Sequence, residues 1–139
     1  MSKLSIYSDG GARGNPGPAA AAFVVLNENQ DVLHKEAKYL GDKTNNYAEY
    51  QGVLLALNWL VENGSKINED INFFMDSELV VKQINGLYKV KEPTLQTLHQ
   101  TVKSLLLKIK VKVFFQNILR EKNKLADSLV NEEMDKNVS

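Results

Sequence analysis

The chain has 139 residues, 43% of them hydrophobic and 24% charged, a composition that excludes a disordered or fibrous chain and fits a soluble globular protein. Its 17 basic residues balance 17 acidic ones, so net charge makes no global case for a polyanionic partner; with no cysteine, disulfide frameworks, thiolate metal sites and cysteine nucleophiles are excluded too. No run is apolar enough to span a bilayer, and Met1-Ser2-Lys3 enters a strand without an apolar leader, so one domain over residues 1–139, a cytoplasmic location and no membrane contact are expected.

Leu4 to Gly11 alternates as a strand, with Leu4 and Ile6 on one face and Ser5, Tyr7 and Asp9 on the other. Gly10 and Gly11 lead into Ala12-Arg13-Gly14-Asn15-Pro16-Gly17-Pro18, a loop that leaves Asp9 at a sheet edge. Ala19–Leu26 reads as a second strand, its alanines calling for close packing, and Val32–Tyr39 as a third, antiparallel to it. Helical spacing then begins near Tyr47, with a cap from Thr44, Asn45 or Asn46, a stripe of Tyr50, Val53, Leu54, Leu57, Leu60 and Val61, and a stop at Gly64. Ile71–Met75 has the near-continuous apolar character of a strand covered on both faces. A short helix around Leu79–Ile84 and another from Thr94 to Lys108 follow, then a strand built on Val111, Val113 and Phe115. The last helix spans about Asn123 to Lys136, with Leu125, Ala126, Leu129, Val130 and Met134 as its core stripe. This order predicts an α/β layered fold in which an antiparallel meander is extended by parallel strands.

Four acids sit at element boundaries or against apolar faces: Asp9, Glu49, Asp76 and Asp127. Each has an ordinary reading, Asp9 bracing the glycine loop, Glu49 closing a capping box, Asp76 capping a helix and Asp127 favoured by a helix dipole. A layered fold also carries strand ends and helix ends to one rim. Carboxylates gathered there stay ionised together only beside a cation, and oxygen-only ligands select a hard ion such as Mg²⁺ or Mn²⁺. Between Lys103 and Lys124, basic residues stand against a single acid, Glu121, which reads either as a solvated face or as a phosphate-binding one.

The stretches Asp9-Gly10-Gly11-Ala12-Arg13-Gly14-Asn15-Pro16-Gly17, Thr44-Asn45-Asn46-Tyr47-Ala48-Glu49, Asp76-Ser77-Glu78-Leu79-Val80 and Asn123-Lys124-Leu125-Ala126-Asp127 resemble ribonuclease H of the HI type, in the family's order and across nearly the whole chain. The resemblance implies a five-stranded mixed sheet flanked by helices on both faces. It implies an endonuclease that cuts the RNA strand of RNA–DNA hybrids with two Mg²⁺ or Mn²⁺ ions, leaving 5′-phosphate and 3′-hydroxyl ends. Asp9, Glu49, Asp76 and Asp127 match the family's metal-binding carboxylates. Asn15, Asn45 and Asn46 match residues that hold the hybrid in its minor groove, Thr44 matches a phosphate-pocket residue for the DNA strand, and Gly11 is expected to leave room for the substrate backbone beside Asp9. Asparagine, both donor and acceptor, suits the 2′-hydroxyl.

Two departures place this chain beside a compact subgroup. Instead of the loop histidine that many members carry before the last helix there is Arg120, a permanent cation suited to stabilising phosphate charge but not to acid catalysis. The basic helical protrusion is replaced by a short segment in which Tyr88 and Lys89 are expected to contact substrate. A monomer without an obligate protein partner is expected. A non-catalytic binding module and a DNA-cutting enzyme on the same scaffold are the rival readings.

Overall fold

The computed structural model describes residues 3–137. Strand β1 (Leu4–Ala12) pairs antiparallel with β2 (Gly17–Leu26), and β2 with β3 (Val32–Lys43). Helix α1 (Asn45–Glu62) then crosses one face, after which β4 (Ile71–Met75) lies parallel to β1 and β5 (Val113–Asn117) parallel to β4. Between those two strands come α2 (Glu78–Ile84) and α3 (Pro93–Lys108), and α4 (Lys124–Asn137) closes the described chain. The sheet order is β3-β2-β1-β4-β5, the mixed five-stranded arrangement expected.

Alternation sorts the two faces. Leu4, Ile6, Phe23, Val25, Ile71 and Phe73 point to the side covered by α1 and join its Tyr50, Val53, Leu57 and Leu60 in the main core. On the opposite side Ala20 and Ala22 receive Val130 and Met134 of α4, so the small residues of β2 do give the close packing their size called for.

Several expectations shift in detail. β3 runs on to Lys43 because a bulge at Leu40, with Gly41 at φ 77°, lets pairing resume as far as Gly17 opposite Lys43. The last strand starts two residues late: Val111 packs against the core, but regular pairing to β4 begins with Val113 opposite Ile71. Leu125 leaves the predicted core stripe and is 54% exposed, because the packed side of α4 runs through Ala126, Val130 and Met134. In β4, Asn72 and Phe74 are only half-buried, so this strand is covered fully on its α1 side alone.

What sets the active rim is how near α1 lies to β1. A side chain at Gly10 would meet the Ala48 carbonyl at 2.2 Å, and one at Gly52 would meet the Asp9 carbonyl oxygen at 2.7 Å. Both glycines are therefore required by backbone-to-backbone contact. Gly52→Ala is expected to lower stability by roughly 1–3 kcal/mol through overpacking, read as a drop in thermal midpoint; an unchanged midpoint would show that α1 has room to move away.

Candidate active site

Gly10 and Gly11 do not end β1 as expected: pairing with β2 runs through them to Ala12, so Asp9, opposite Ala22, lies within the strand, two residues past its last pair with β4. Asp76 follows β4 directly, and Glu49 sits in the second turn of α1. Because β1 and β4 are neighbours and α1 rests on β1, these three carboxylates each offer an oxygen within 4.8 Å of the others. Asp127, in the first turn of α4, stands outside that triplet but lines the same cleft of about 340 Å³, with Asp9, Gly11, Asn45, Asn46, Glu49 and Arg120.

Helix α2 is capped by Ser77, whose Oγ accepts from Val80 N at 3.3 Å, so Asp76 is released from that duty. α1 is capped by Thr44, whose Oγ1 accepts from Tyr47 N at 3.2 Å. A capping box closed by Glu49 would require the helix to begin two residues later than it does. The glycine loop is braced by other groups: Ala12 N donates to Asn45 Oδ1 at 2.8 Å, Asn45 N donates to Asn15 Oδ1 at 3.0 Å, and Arg13 pairs with Asp135 of α4 at 2.6 Å.

The electrostatics of the triplet follow from burial. Asp9 is pushed up to about 7, first by burial and then by the charge of Asp76, with Asp127 adding to it; the Gly10 amide and Arg120 pull the other way. Burial, Asp9 and Asp76 likewise hold Glu49 well above the usual carboxylate range, against the Gly10 amide and Arg120. Glu49 Oε1 is buried without a hydrogen-bond partner, an acceptor aimed at nothing in the protein. A hard divalent cation fits this donor set: all oxygen, anionic, and with an acceptor left unsatisfied.

Asn123, which opens the last motif, has a role that the sequence did not reveal. Its buried side chain donates from Nδ2 to the Ser8 carbonyl at 2.9 Å and to Asp76 Oδ2 at 3.2 Å, tying the entry of α4 to both acid-bearing strands. In sequence it is only an asparagine at the expected start of the last helix.

Asn15, Thr44, Asn45 and Asn46 line one continuous groove with Lys43 and Asp42 beside the cleft. The asparagines' expected dual role is narrowed, since Asn15 and Asn45 both commit their carbonyl oxygens inward to backbone amides. What they turn outward is the donor end. Tyr88 and Lys89 lie on a neighbouring depression that Asn46 also lines. Tyr88 is fixed by Lys82, whose Nζ donates to its hydroxyl at 3.3 Å and sits 5.1 Å from its ring centre. Gln83, bonded to the buried Tyr50 hydroxyl at 2.7 Å, reaches the Lys89 carbonyl at 3.4 Å. The histidines stay out of the site: His34 stacks on Trp59, and His99 meets the Gln83 carbonyl at 3.0 Å.

This fold and rim define a class of domain. A family model described as reverse transcriptase-like matches residues 7–133. A bifunctional protein of Mycobacterium tuberculosis is 37% identical over 96% of this chain, and ribonuclease HI of Halobacterium salinarum is 32% identical over 96% of it. The solved LC11-RNase H1, in complex with RNA/DNA hybrid, superposes with a TM-score of 0.93 at 44% identity, covering 99% of this chain and 100% of that one. The chain belongs to the ribonuclease H family, HI type. It spans 36% of the mycobacterial protein's length and 65% of the halobacterial one's.

An acid whose folded pKa lies above its unfolded value stabilises the fold below the unfolded value, near 4, and loses that contribution as pH rises through the folded one. In chelator, stability is therefore expected to decline between pH 4 and 8, and Asp9→Asn to raise the thermal midpoint at pH 8 by roughly 3 °C or more, with the difference shrinking toward pH 4. A difference independent of pH would remove the electrostatic account.

Proposed function

We propose that this chain is a metal-dependent endonuclease that hydrolyses the RNA strand of RNA–DNA hybrids without strong sequence preference. The observation that carries this reading is the convergence of Asp9, Glu49 and Asp76 within 4.8 Å, with a buried Glu49 oxygen lacking any partner. Asp9, Glu49 and Asp76 hold Mg²⁺ or Mn²⁺, with Asp127 completing the set from across the cleft. When bound, two such ions supply Lewis-acid stabilisation of the phosphodiester and a water acidic enough to attack it at neutral pH. Water oxygen bonds to phosphorus as the bond to the 3′ oxygen breaks, which leaves 5′-phosphate and 3′-hydroxyl ends.

The chain's own residues orient the substrate. With their carbonyl oxygens turned inward, Asn15 and Asn45 donate from their amide ends to the minor groove, where base edges and 2′-hydroxyls present acceptors. Asn46 and Gly11 line the same approach. Such contacts read the 2′-hydroxyl and groove shape rather than base order, which is the basis for choosing a hybrid. Thr44, beside Lys43, forms the seat for a DNA-strand phosphate, weakened by the neighbouring Asp42. Tyr88 and Lys89 extend that grip by stacking and by charge.

Arg120 stands on a short helical turn over the cleft, where its field already lowers the cost of ionising Asp9 and Glu49. Always protonated, it stabilises charge building on the phosphate and donates no proton. Every group named in this scheme comes from one chain, so cleavage calls for no residue from a second subunit.

Asp9→Asn keeps the shape of the side chain and removes its charge. It is expected to abolish hybrid cleavage in Mg²⁺, by at least about a thousandfold for a group the transition state depends on, with circular dichroism unchanged. Cleavage at the unsubstituted rate, assayed beside duplex DNA, duplex RNA and single strands, would refute the assignment.

A further inference from the structure

The sheet face that carries Asp9 also carries aromatic rings that the cleavage chemistry does not use. Side chains alternate, so Tyr7 shares that face with Asp9. Parallel pairing sets Phe74 beside Tyr7, with ring centres 4.9 Å apart. Across to β5, Phe114 stands opposite Asn72 and Gln116 opposite Phe74, on the same side. Gln116 Nε2 donates to Asn72 Oδ1 at 2.9 Å, which places a pair of amides among the rings. Helix α4 is the helix on this face, and it packs over β1, β2 and β3. The β4 and β5 part is left open, with Phe114 48% exposed.

The border of this face is basic. Between Tyr7, Leu26 and the start of α4 lies a cavity of about 240 Å³ edged by Lys122 and Lys124, with Glu121 as its acid. Below Phe114, the Lys112 carbonyl accepts from Ile71 N at 2.9 Å, which keeps Lys112 in the pairing register with its side chain on the face of Phe114 by alternation. The acid at that end, Asp70, accepts from Lys112 N at 3.0 Å and so is occupied by backbone. These three lysines belong to the basic stretch that the proposed cleavage leaves without a task.

We propose that this open face binds single-stranded nucleic acid, with bases stacked on Phe114, Phe74 and Tyr7 and phosphates on Lys112, Lys122 and Lys124. Rings with amides between them and cations around them match the needs of an unpaired strand, whose bases present π-faces and polar edges along an anionic backbone. A purely apolar protein partner has no use for the lysine border. Tyr7 and Phe74 precede Asp9 and Asp76 by two residues each, so the platform begins roughly 7 Å from the carboxylates along the strands. A single strand leaving a hybrid in the cleft thus has a surface to follow; that use rests on the proposed nuclease function, whereas single-strand binding does not.

The test is fluorescence anisotropy of a labelled oligouridylate of about a dozen nucleotides, added to the full chain in chelator at low salt, where no cleavage intervenes. Salt-sensitive binding is expected, weakened about tenfold by Phe114→Ala, a loss within the range of one base stack. Lys122→Ala with Lys124→Ala is expected to weaken it similarly, Phe114→Trp to retain it, and Lys103→Ala, exposed on α3 beyond the opposite face of the sheet, to leave it unchanged. Phe114→Ala is also expected to cut a blunt hybrid at the unsubstituted rate. Should Phe114→Ala fail to fold, the exposed lysine pair decides. The proposal is overturned if the oligomer does not bind, if these variants bind it normally, if Lys103→Ala weakens binding as much as the lysine pair does, or if Phe114→Ala instead dissolves a dimer seen by light scattering.

Discussion

Helix α1 lies directly on the backbone of β1, and the acidic rim depends on that contact. It is permitted by glycine on each side, Gly10 beneath Ala48 and Gly52 above the Asp9 carbonyl. A helix is normally held off what it packs on by its own side chains and those of its neighbour. Here two missing side chains bring it closer, and Glu49 reaches a strand-borne carboxylate instead of solvent. The bulge that prolongs β3 to Lys43 serves the same end, since it delivers Thr44 as the cap of α1 and sets Asn45 against Asn15.

The closeness has an electrostatic cost. Buried together, Asp9 and Glu49 resist ionisation, and Asp76 adds its charge to theirs. Arg120 and the Gly10 amide relieve part of this, and Asn123 anchors Asp76. The remainder is a standing demand for positive charge, which is what makes such a site select a divalent ion and a phosphate-bearing substrate. Stability has been traded for a poised site, a common pattern where function and packing compete.

Much of this was readable from residues. The alternation in Leu4–Asp9, the apolar run Ile71–Met75 and the spacing of Tyr50, Val53 and Leu57 record backbone geometry directly, and each of these elements formed; what they did not record is that β1 continues through Gly10 and Gly11 to Ala12, because pairing with β2 needs only backbone. The four acids were visible because an acid at an element boundary or on an apolar stripe needs a reason. What sequence did not disclose is three-dimensional closeness: that three of those acids share 4.8 Å while Asp127 stands apart, or that Asn123 bridges two strands. Leu125 misled because a fourth of a turn on a helix decides between core and solvent. The inward turn of the Asn15 and Asn45 oxygens was likewise hidden, since composition says what a side chain offers and not which end is already spent.

Under the proposed function, the carboxylates of the rim remain together because a divalent cation replaces the protons they would otherwise hold. Calorimetric titration of Mg²⁺ into the protein near pH 7, repeated in buffers of different ionisation enthalpy, measures protons released on binding. A net release that disappears in Asp9→Asn is predicted. Magnesium binding without proton release, or binding that survives the substitution undiminished, would contradict the account.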